Sequence, residues 1–355
     1  MALFKAAQKE GGNIVLNSYV LDYDYMPKLV PYRENQQHFI AQCIKPLLSK
    51  RNARNLFIYG GAGVGKTVCI KHVLRELQEE YSDVVHLIYI NCWKKDTSFK
   101  IVNDVCEQIG YSWTHNKRTD ELVSVISSIV NKKSAVIVLD EADKLKDFDF
   151  LYSFLEDIYR KTIILITNEK DLLVNLDARV RSRLNAEILE FKPYNKEETE
   201  GILKERVEYA FVKNTLSKEA FELICEKSFE AGDIRSGLYL LREAANIAEL
   251  SFSQNIDINH AKSAIEKFEE FSAKDILEMA SDQKDILSII KENSGTLIKD
   301  IFDIYQKSGG QKTYRTFQRK IEELKKANFI ELKENLTPDG KVSFNIYYSK
   351  GLTEY

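Results

Sequence analysis

The feature that most restricts the fold of this chain is the octapeptide Gly60-Gly-Ala-Gly-Val-Gly-Lys-Thr67, which fits the spacing GxxxxGK[ST]. It stands between an apolar run, Asn55–Tyr59, and an amphipathic run, Val68–Glu80. A strand, a glycine-rich loop and a helix in that order turn backbone N–H groups toward an anion, and the helix N-terminus adds a favourable dipole. Lys66 brings a positive charge suited to β- and γ-phosphates, and Thr67 a hydroxyl suited to Mg²⁺. Gly60, Gly61, Ala62, Gly63, Val64, Gly65, Lys66, Thr67 and Val68 are therefore candidate residues for ATP or ADP. A turn that binds nothing is the alternative. At average glycine usage of about 7% a chance match in this chain is on the order of one per cent, which disfavours it.

A loop of this kind sits on a parallel sheet, and the flanking pattern supplies one. Short apolar runs at Asn55–Tyr59, Val84–Ile90, Ala135–Leu139, Thr162–Thr167 and Glu187–Phe191 alternate with longer amphipathic stretches, predicting five buried strands covered by helices. Beyond Pro193 the strand signal stops. Lys196–Val212, Ser217–Phe229, Asp233–Leu250 and Ile258–Phe271 carry apolar residues at helical spacing. A third block reads as helices at Asp282–Glu292, Thr296–Lys307 and Thr313–Asn328, then two strands around the turn pair Asp339-Gly340. The expected division is 1–192, an α/β nucleotide domain; 193–272, a helical domain; and 273–355, a small helix-and-hairpin domain.

The run Ala135-Val-Ile-Val-Leu-Asp-Glu-Ala-Asp143 ends in carboxylates at the strand edge where α/β sheets bind ligands. Asp140 is placed to hold Mg²⁺ together with Thr67, and Glu141 to act as general base on a water. The competing reading is an acidic helix N-cap, with Asp143 or Asp140 merely complementing a dipole. Asn168 ends the next strand, either at the same edge or as a simple turn residue. Arg179, Arg181 and Arg183 follow at two-residue spacing, too dense for an ordinary solvated face.

Composition sets the outer limits. A net charge of −3 over 355 residues means that any nucleic-acid surface is a local patch. Five cysteines without a CxxC pair favour reduced thiols in a cytosol over a disulfide framework. The five histidines do not combine with them at zinc spacing. No apolar run approaches the roughly 18 residues of a membrane span, and the N-terminus carries no signal-peptide pattern. A cytoplasmic protein without a membrane partner is expected.

With the phosphate loop and Asp140-Glu141, the segments Leu21-Asp-Tyr-Asp-Tyr-Met-Pro27, Pro31-Tyr-Arg-Glu34, Arg179-Val-Arg-Ser-Arg183 and Gly232-Asp-Ile-Arg-Ser-Gly-Leu238 make the chain resemble the AAA+ ATPases. More closely, it is similar to the archaeal initiators related to the origin recognition complex and the cell-division-control initiators. The resemblance runs from about Tyr19 to the C-terminus and implies an AAA+ P-loop sheet domain, a helical lid and a C-terminal winged helix. It implies that Asn168 is the first sensor, Arg235 the lid sensor, and Arg183, with Arg179 beside it, the finger offered to a neighbouring self or paralogous subunit. Val30, Tyr32 and Arg33 correspond to the segment against adenine. Ordinary ion pairs are the competing reading for the arginines. Two positions depart from the family pattern: Tyr32 where His is common, and Gly237 where Ala is common.

The resemblance further implies an origin-binding initiator that helps to recruit the replicative helicase, with ATP hydrolysis as a switch. Residues 307–326 agree on a DNA surface, with seven basic residues against two glutamates. Phe317, Ile321 and Leu324 share one helical face and Arg315, Arg319 and Lys326 the other. Lys312, Thr313, Arg315, Arg319 and Lys320, with Lys341 in the hairpin, are the candidate contacts to double-stranded DNA. A second candidate contact is Trp93–Val102, where the family inserts a DNA-touching helix. Rival readings are a clamp-loader-like or remodelling ATPase, an ATP-responsive transcription regulator, the helper ATPase of a mobile element and, for the basic helix, protein docking.

Overall fold

The computed structural model describes residues 14–278, 281–310, 312–326, 329–336 and 342–348. Five parallel strands form the first sheet: β1 (Leu56–Gly60), β2 (Val85–Asn91), β3 (Ser134–Asp140), β4 (Lys161–Thr167) and β5 (Glu187–Phe191). Their spatial order is β2-β3-β4-β1-β5. Every residue of β3 is buried, as a central strand covered on both faces requires. One face packs under α1 (Glu34–Ile44) and α2 (Lys66–Tyr81). The other lies beneath α3 (Ser98–Gln108), α4 (Thr119–Val130) and α5 (Asp149–Asp157). Two short helices, α6 (Leu172–Asn175) and α7 (Ala178–Leu184), follow β4.

The register gathers the chemistry at one edge. Asn91 lies opposite Asp140, Tyr59 opposite Thr167, and Gly60 opposite Phe191, so the strand C-termini bring the loop, the carboxylates and Asn168 together. All five cysteines are free and buried.

The helical domain consists of α8 (Lys196–Ala210), α9 (Lys218–Ala231), α10 (Ile234–Leu250) and α11 (Ile258–Glu278). Side chains write the starts of the first three. Asn195 and Glu198 close a capping box on α8, Ser217 caps α9 and Asp233 caps α10. Two expected boundaries shift. The joint placed at 272/273 falls inside α11, because 258–278 contains neither Gly nor Pro to stop a helix. Residues from Ile14 onward were assigned to the sheet domain, yet Ile14, Val20 and Leu21 are buried in the helical domain's core. Val15 bridges Phe211, and Asp22 pairs with Arg242 at 3.2 Å.

Gly237 sits within α10 where a Cβ would come within 2.7 Å of both Leu203 Cδ1 and Ser228 Oγ, on the neighbouring α8 and α9. Alanine gains about 1 kcal/mol of helix propensity, whereas overpacking a closed core costs about 1–3 kcal/mol. Gly237→Ala is therefore expected to lower stability by about 1 kcal/mol, read as a fall in the thermal midpoint with the far-ultraviolet spectrum unchanged.

The last domain holds α12 (Ser281–Glu292), α13 (Ile298–Lys307) and α14 (Tyr314–Lys326) against a three-stranded antiparallel sheet, β6-β8-β7. Thr296-Leu297, read in sequence as the start of a helix, instead forms β6, which pairs with Asn345 and Ile346 of β8 (Val342–Tyr348). β7 (Ile330–Leu336) runs antiparallel to β8. The turn at Asp339-Gly340 and the candidate Lys341 lie outside the described residues.

Candidate active site and nucleic-acid interface

Gly65 caps the N-terminus of α2 with φ +88°, and Gly63 has φ +65°. Both are left-handed conformations that L side chains avoid. Space excludes a side chain as well. A Cβ on Gly65 would lie 2.4 Å from Tyr194 Oη, and one on Gly63 would lie 1.7 Å from Asp233 Oδ1. The loop is thus held open by glycine and overlaid by the helical domain. A cleft of about 470 Å³ lies above it, with Ala62–Val68 on its floor.

Lys66 is buried, and its ammonium donates to Gly60 O at 2.8 Å, Gly61 O at 2.6 Å and Asn168 Oδ1 at 2.8 Å. Gly60 and Gly61 therefore serve the site through their carbonyls rather than by lining the cleft. Burial pulls the amine down to about 8, against the raising influence of Asp140 and Glu141. Thr67 Oγ1 donates to Asp140 Oδ2 at 2.8 Å, and the Tyr89 hydroxyl donates to the same oxygen. Asp140 Oδ1 accepts the Glu141 N–H at 3.0 Å. Tyr89 was missed in the sequence. The signal was its place on β2 two residues before Asn91, which pairs in register with Asp140.

Glu141 adopts φ +59°, a strained conformation for a residue with a Cβ, and lines the cleft. Burial first, and then the charges of Asp140 and Asp143, push its carboxyl above the usual glutamate range, the direction a general base needs. Asp143 braces the adjacent strand by accepting from Thr167 Oγ1 at 3.0 Å and from the Asn168 N–H at 3.3 Å. From the helical domain Arg235 enters the cleft, gripped by Asp233 with a closest approach of 2.6 Å. That carboxylate raises the guanidinium's pKa further.

A nucleotide with Mg²⁺ fits this set. The loop leaves the backbone clear, one ammonium and one guanidinium converge, and a hydroxyl and a carboxylate stand together as hard oxygen donors.

The proposed base-packing residues are placed elsewhere. Val30 is buried, with its carbonyl accepting from Gln37. Tyr32, with φ +63°, rests its hydroxyl against Gly201 of α8. The Arg33 guanidinium donates to Val64 O at 3.0 Å and Lys192 O at 2.7 Å and stacks on Tyr194 at 3.9 Å. None of the three lines the cleft. Its wall on that side is formed by Asp22–Tyr25, with Arg206, Ile234 and Leu238. The physical reason is that Arg33 spends its donors on the loop and on the interdomain joint.

Arg183 is also outside its own cleft. It pairs with Glu156 and donates to Tyr152 Oη at 3.2 Å, while Arg179 lines a separate groove with Tyr152 and Asp177.

In the last domain Phe317, Ile321 and Leu324 are buried and Arg315 and Arg319 are exposed, so α14 has a core face and a basic face. Thr313 supports its first turn through Thr316. The basic face is partly neutralised. Glu323 pairs with Lys320 at 2.9 Å and Arg319 at 3.7 Å. Around Trp93–Val102, Ile101 and Val102 are core, Lys95 pairs with Asp104, and Lys100 pairs with Asp96. Trp93 lies at the mouth of the nucleotide cleft with the Lys144 ammonium 5.3 Å from its ring centroid.

Among the described residues no helix is long and apolar enough to cross a membrane. Residues 49–173 match the model of an AAA domain, and residues 200–266 match that of a Cdc6 AAA+ ATPase-type lid domain. ORC1-type DNA replication protein 1 of Sulfurisphaera tokodaii is 31% identical over 312 residues, covering 83% of this chain and 78% of that one. A structure of the Aeropyrum pernix ORC1 protein in complex with DNA superposes with a TM-score of 0.70 at 24% identity, covering 96% and 95% of the two chains. The A. pernix ORC2 protein, in ADPNP–ADP complexes, reaches a TM-score of 0.73 at 17% identity, covering 96% of each chain. With a P-loop sheet domain, a matching lid and identity sustained over four-fifths of its length, this chain belongs to the ORC1-type DNA replication proteins, initiator ATPases of the AAA+ class.

Proposed function

We propose that the protein binds ATP between sheet domain and lid, hydrolyses it as a slow switch, and uses the nucleotide state to govern how its C-terminal winged-helix domain holds duplex DNA at a replication origin. The observation that carries this reading is the convergence of Lys66, Thr67, Asp140, Glu141 and Asn168 on one cleft that Arg235 enters from the other domain.

In this assignment the loop N–H groups and Lys66 hold the phosphates. Thr67 and Asp140 hold Mg²⁺, which supplies charge neutralisation of the phosphate oxygens when bound. Glu141 accepts the proton of the attacking water, and its raised pKa shifts its basicity in the direction the transfer needs. Asn168 has committed its oxygen to Lys66, which leaves its NH₂ to orient that water or a phosphate oxygen. Arg235 senses the γ-phosphate from the lid. Arg183 serves the cleft of a neighbouring copy or paralogue, its planar, permanently charged fork being suited to developing phosphoryl charge. Because sheet domain and lid both line the cleft, a γ-phosphate that bonds to both biases their relative angle, which is a population shift driven by differential contacts.

At the other end, α14 enters a major groove with Arg315 foremost. Lys312, Thr313, Arg319 and Lys320 flank it, and Lys341 approaches the adjacent backbone. The replicative helicase is the partner that such an initiator loads.

The reading is tested by fluorescence titration of duplex DNA at several salt concentrations, with ATP and with ADP. Replacing Arg315 and Arg319 by Ala should weaken binding across sequences and reduce the slope of log K against log [salt] by about 1 to 2, a full phosphate contact being worth about one unit. Since Glu323 already offsets Arg319, the larger share should fall on Arg315. Wild-type slopes in the variant would remove α14 from the interface, and equal grip with ATP and ADP would remove the switch.

A further inference from the structure

Asp233 has more contacts than a helix cap requires. Its Oδ1 accepts the Arg235 N–H at 2.9 Å, which caps α10. Both oxygens also hold the Arg235 side chain, with Nε at 3.0 Å from each and Nη2 at 2.6 Å from Oδ2. The same carboxylate is packed onto the phosphate loop, closely enough that Gly63 has no room for a Cβ. Its backbone is fixed too, since Asp233 O accepts from Ser236 Oγ at 2.6 Å. The lid thus presents a resident anion directly over the loop, and the cation it grips is the one that reaches into the cleft.

Two anions cannot both own one guanidinium at full strength. Asp233 engages Nε and Nη2, two of the three nitrogens, in a charge-assisted fork. We infer that Asp233 is a built-in competitor of the terminal phosphate for Arg235 and so sets the preference of the site for nucleoside triphosphate over diphosphate. The inference rests on the assignment of the cleft as the nucleotide site. With ADP, Arg235 stays on Asp233 and nothing is given up. With ATP, Arg235 must divide its donors or leave the carboxylate, which itself repels the arriving charge. Asp233 therefore holds triphosphate affinity below what Arg235 alone would confer, and the position of Arg235 becomes responsive to the γ-phosphate. Without this competitor the arginine would have no resident anion to leave, and its two positions would not be set against each other.

Asp233→Asn separates this role from capping, because Asn is an equally good N-cap of the same size and carries no charge. Asp233→Ser is a second uncharged cap. Calorimetric Kd values for ADP and for a non-hydrolysable ATP analogue are compared in the full-length wild type, in each of these variants, in Arg235→Ala, and in the Asp233→Asn/Arg235→Ala double variant. The analogue-to-ADP affinity ratio should rise about three- to tenfold in both single Asp233 variants, the range expected when a partly exposed ionic fork is released. That rise should vanish in the double variant. An unchanged ratio would reduce Asp233 to a cap, and the same rise without Arg235 would make it a bare through-space charge. Either result overturns the competition. If the wild type binds neither nucleotide, the assignment of the cleft fails and this inference fails with it.

Discussion

Lys66→Met is expected to lower ATP affinity by at least about a hundredfold. A buried ammonium facing two phosphates makes charge-assisted bonds worth roughly 1.5–3 kcal/mol each, and 1.4 kcal/mol is a factor of ten. The same substitution should leave the nucleotide-free protein no less stable. Burial depresses the amine to about 8, so the fold carries the cost of a desolvated charge below that pH. The cost is relieved as pH rises from about 8 toward the 10.5 of an ordinary lysine, where the unfolded chain still binds the proton and the folded one does not. Removing the charge removes the cost at neutral pH. In thermal denaturation the variant should melt at or above the wild-type temperature without nucleotide, and ATP should no longer raise it. A stabilisation by ATP that survives in Lys66→Met would contradict the loop's role. A large loss of stability without ligand would show the ammonium to be a structural strut for Gly60, Gly61 and Asn168 instead.

Glu141→Gln should give the opposite split. Affinity for ATP should stay within a few-fold of wild type, while single-turnover hydrolysis falls by about 10²–10⁴, the usual worth of a positioned general base. The amide keeps the volume of the side chain, and the left-handed backbone at 141 is unchanged. The variant also removes a charge that burial, and then the neighbouring Asp140 and Asp143, disfavour in the wild type. Binding tightness should therefore not suffer. Equal losses of binding and turnover would move the base to another residue.

Local periodicity made most of the fold legible. The central strands β3, β4 and β1 were visible as apolar runs because parallel strands covered on both faces are buried. The edge strands β2 and β5 carry His86 and Glu187 with Glu190, and β5 is half exposed rather than buried as its run predicts, although each observed strand agrees with its run to within a residue or two. The loop's function was legible for a related reason, since its constraints are steric and Gly63 and Gly65 can be nothing else. What escaped was non-local. Thr296-Leu297 is a strand only because β8 lies beside it. Tyr89 reaches Asp140 across a strand pairing 51 residues long in sequence. Arg33 looked like part of a base-packing segment, yet its partners are Val64 and Lys192, 31 and 159 residues away, a separation that no window of sequence reports. Residues 307–326 carry seven basic residues against two glutamates, but counting charges could not show that Glu323 would lie against Lys320 and Arg319.

The start of the described chain packs into the lid before returning to the sheet domain at α1, so the lid is hung from two straps, one through residues 192–196 and one through residues 22–33. Arg33 touches both, bonding to Lys192 O while it stacks on Tyr194. A flap on a single strap can swing, tilt and twist, whereas a flap on two parallel straps keeps one axis of rotation, the line joining its pivots. In the switch proposed above, a phosphate that bonds to both domains would then act about that one axis, and the angle of the lid would be steered by the hanging of the door as much as by the hand that pushes it.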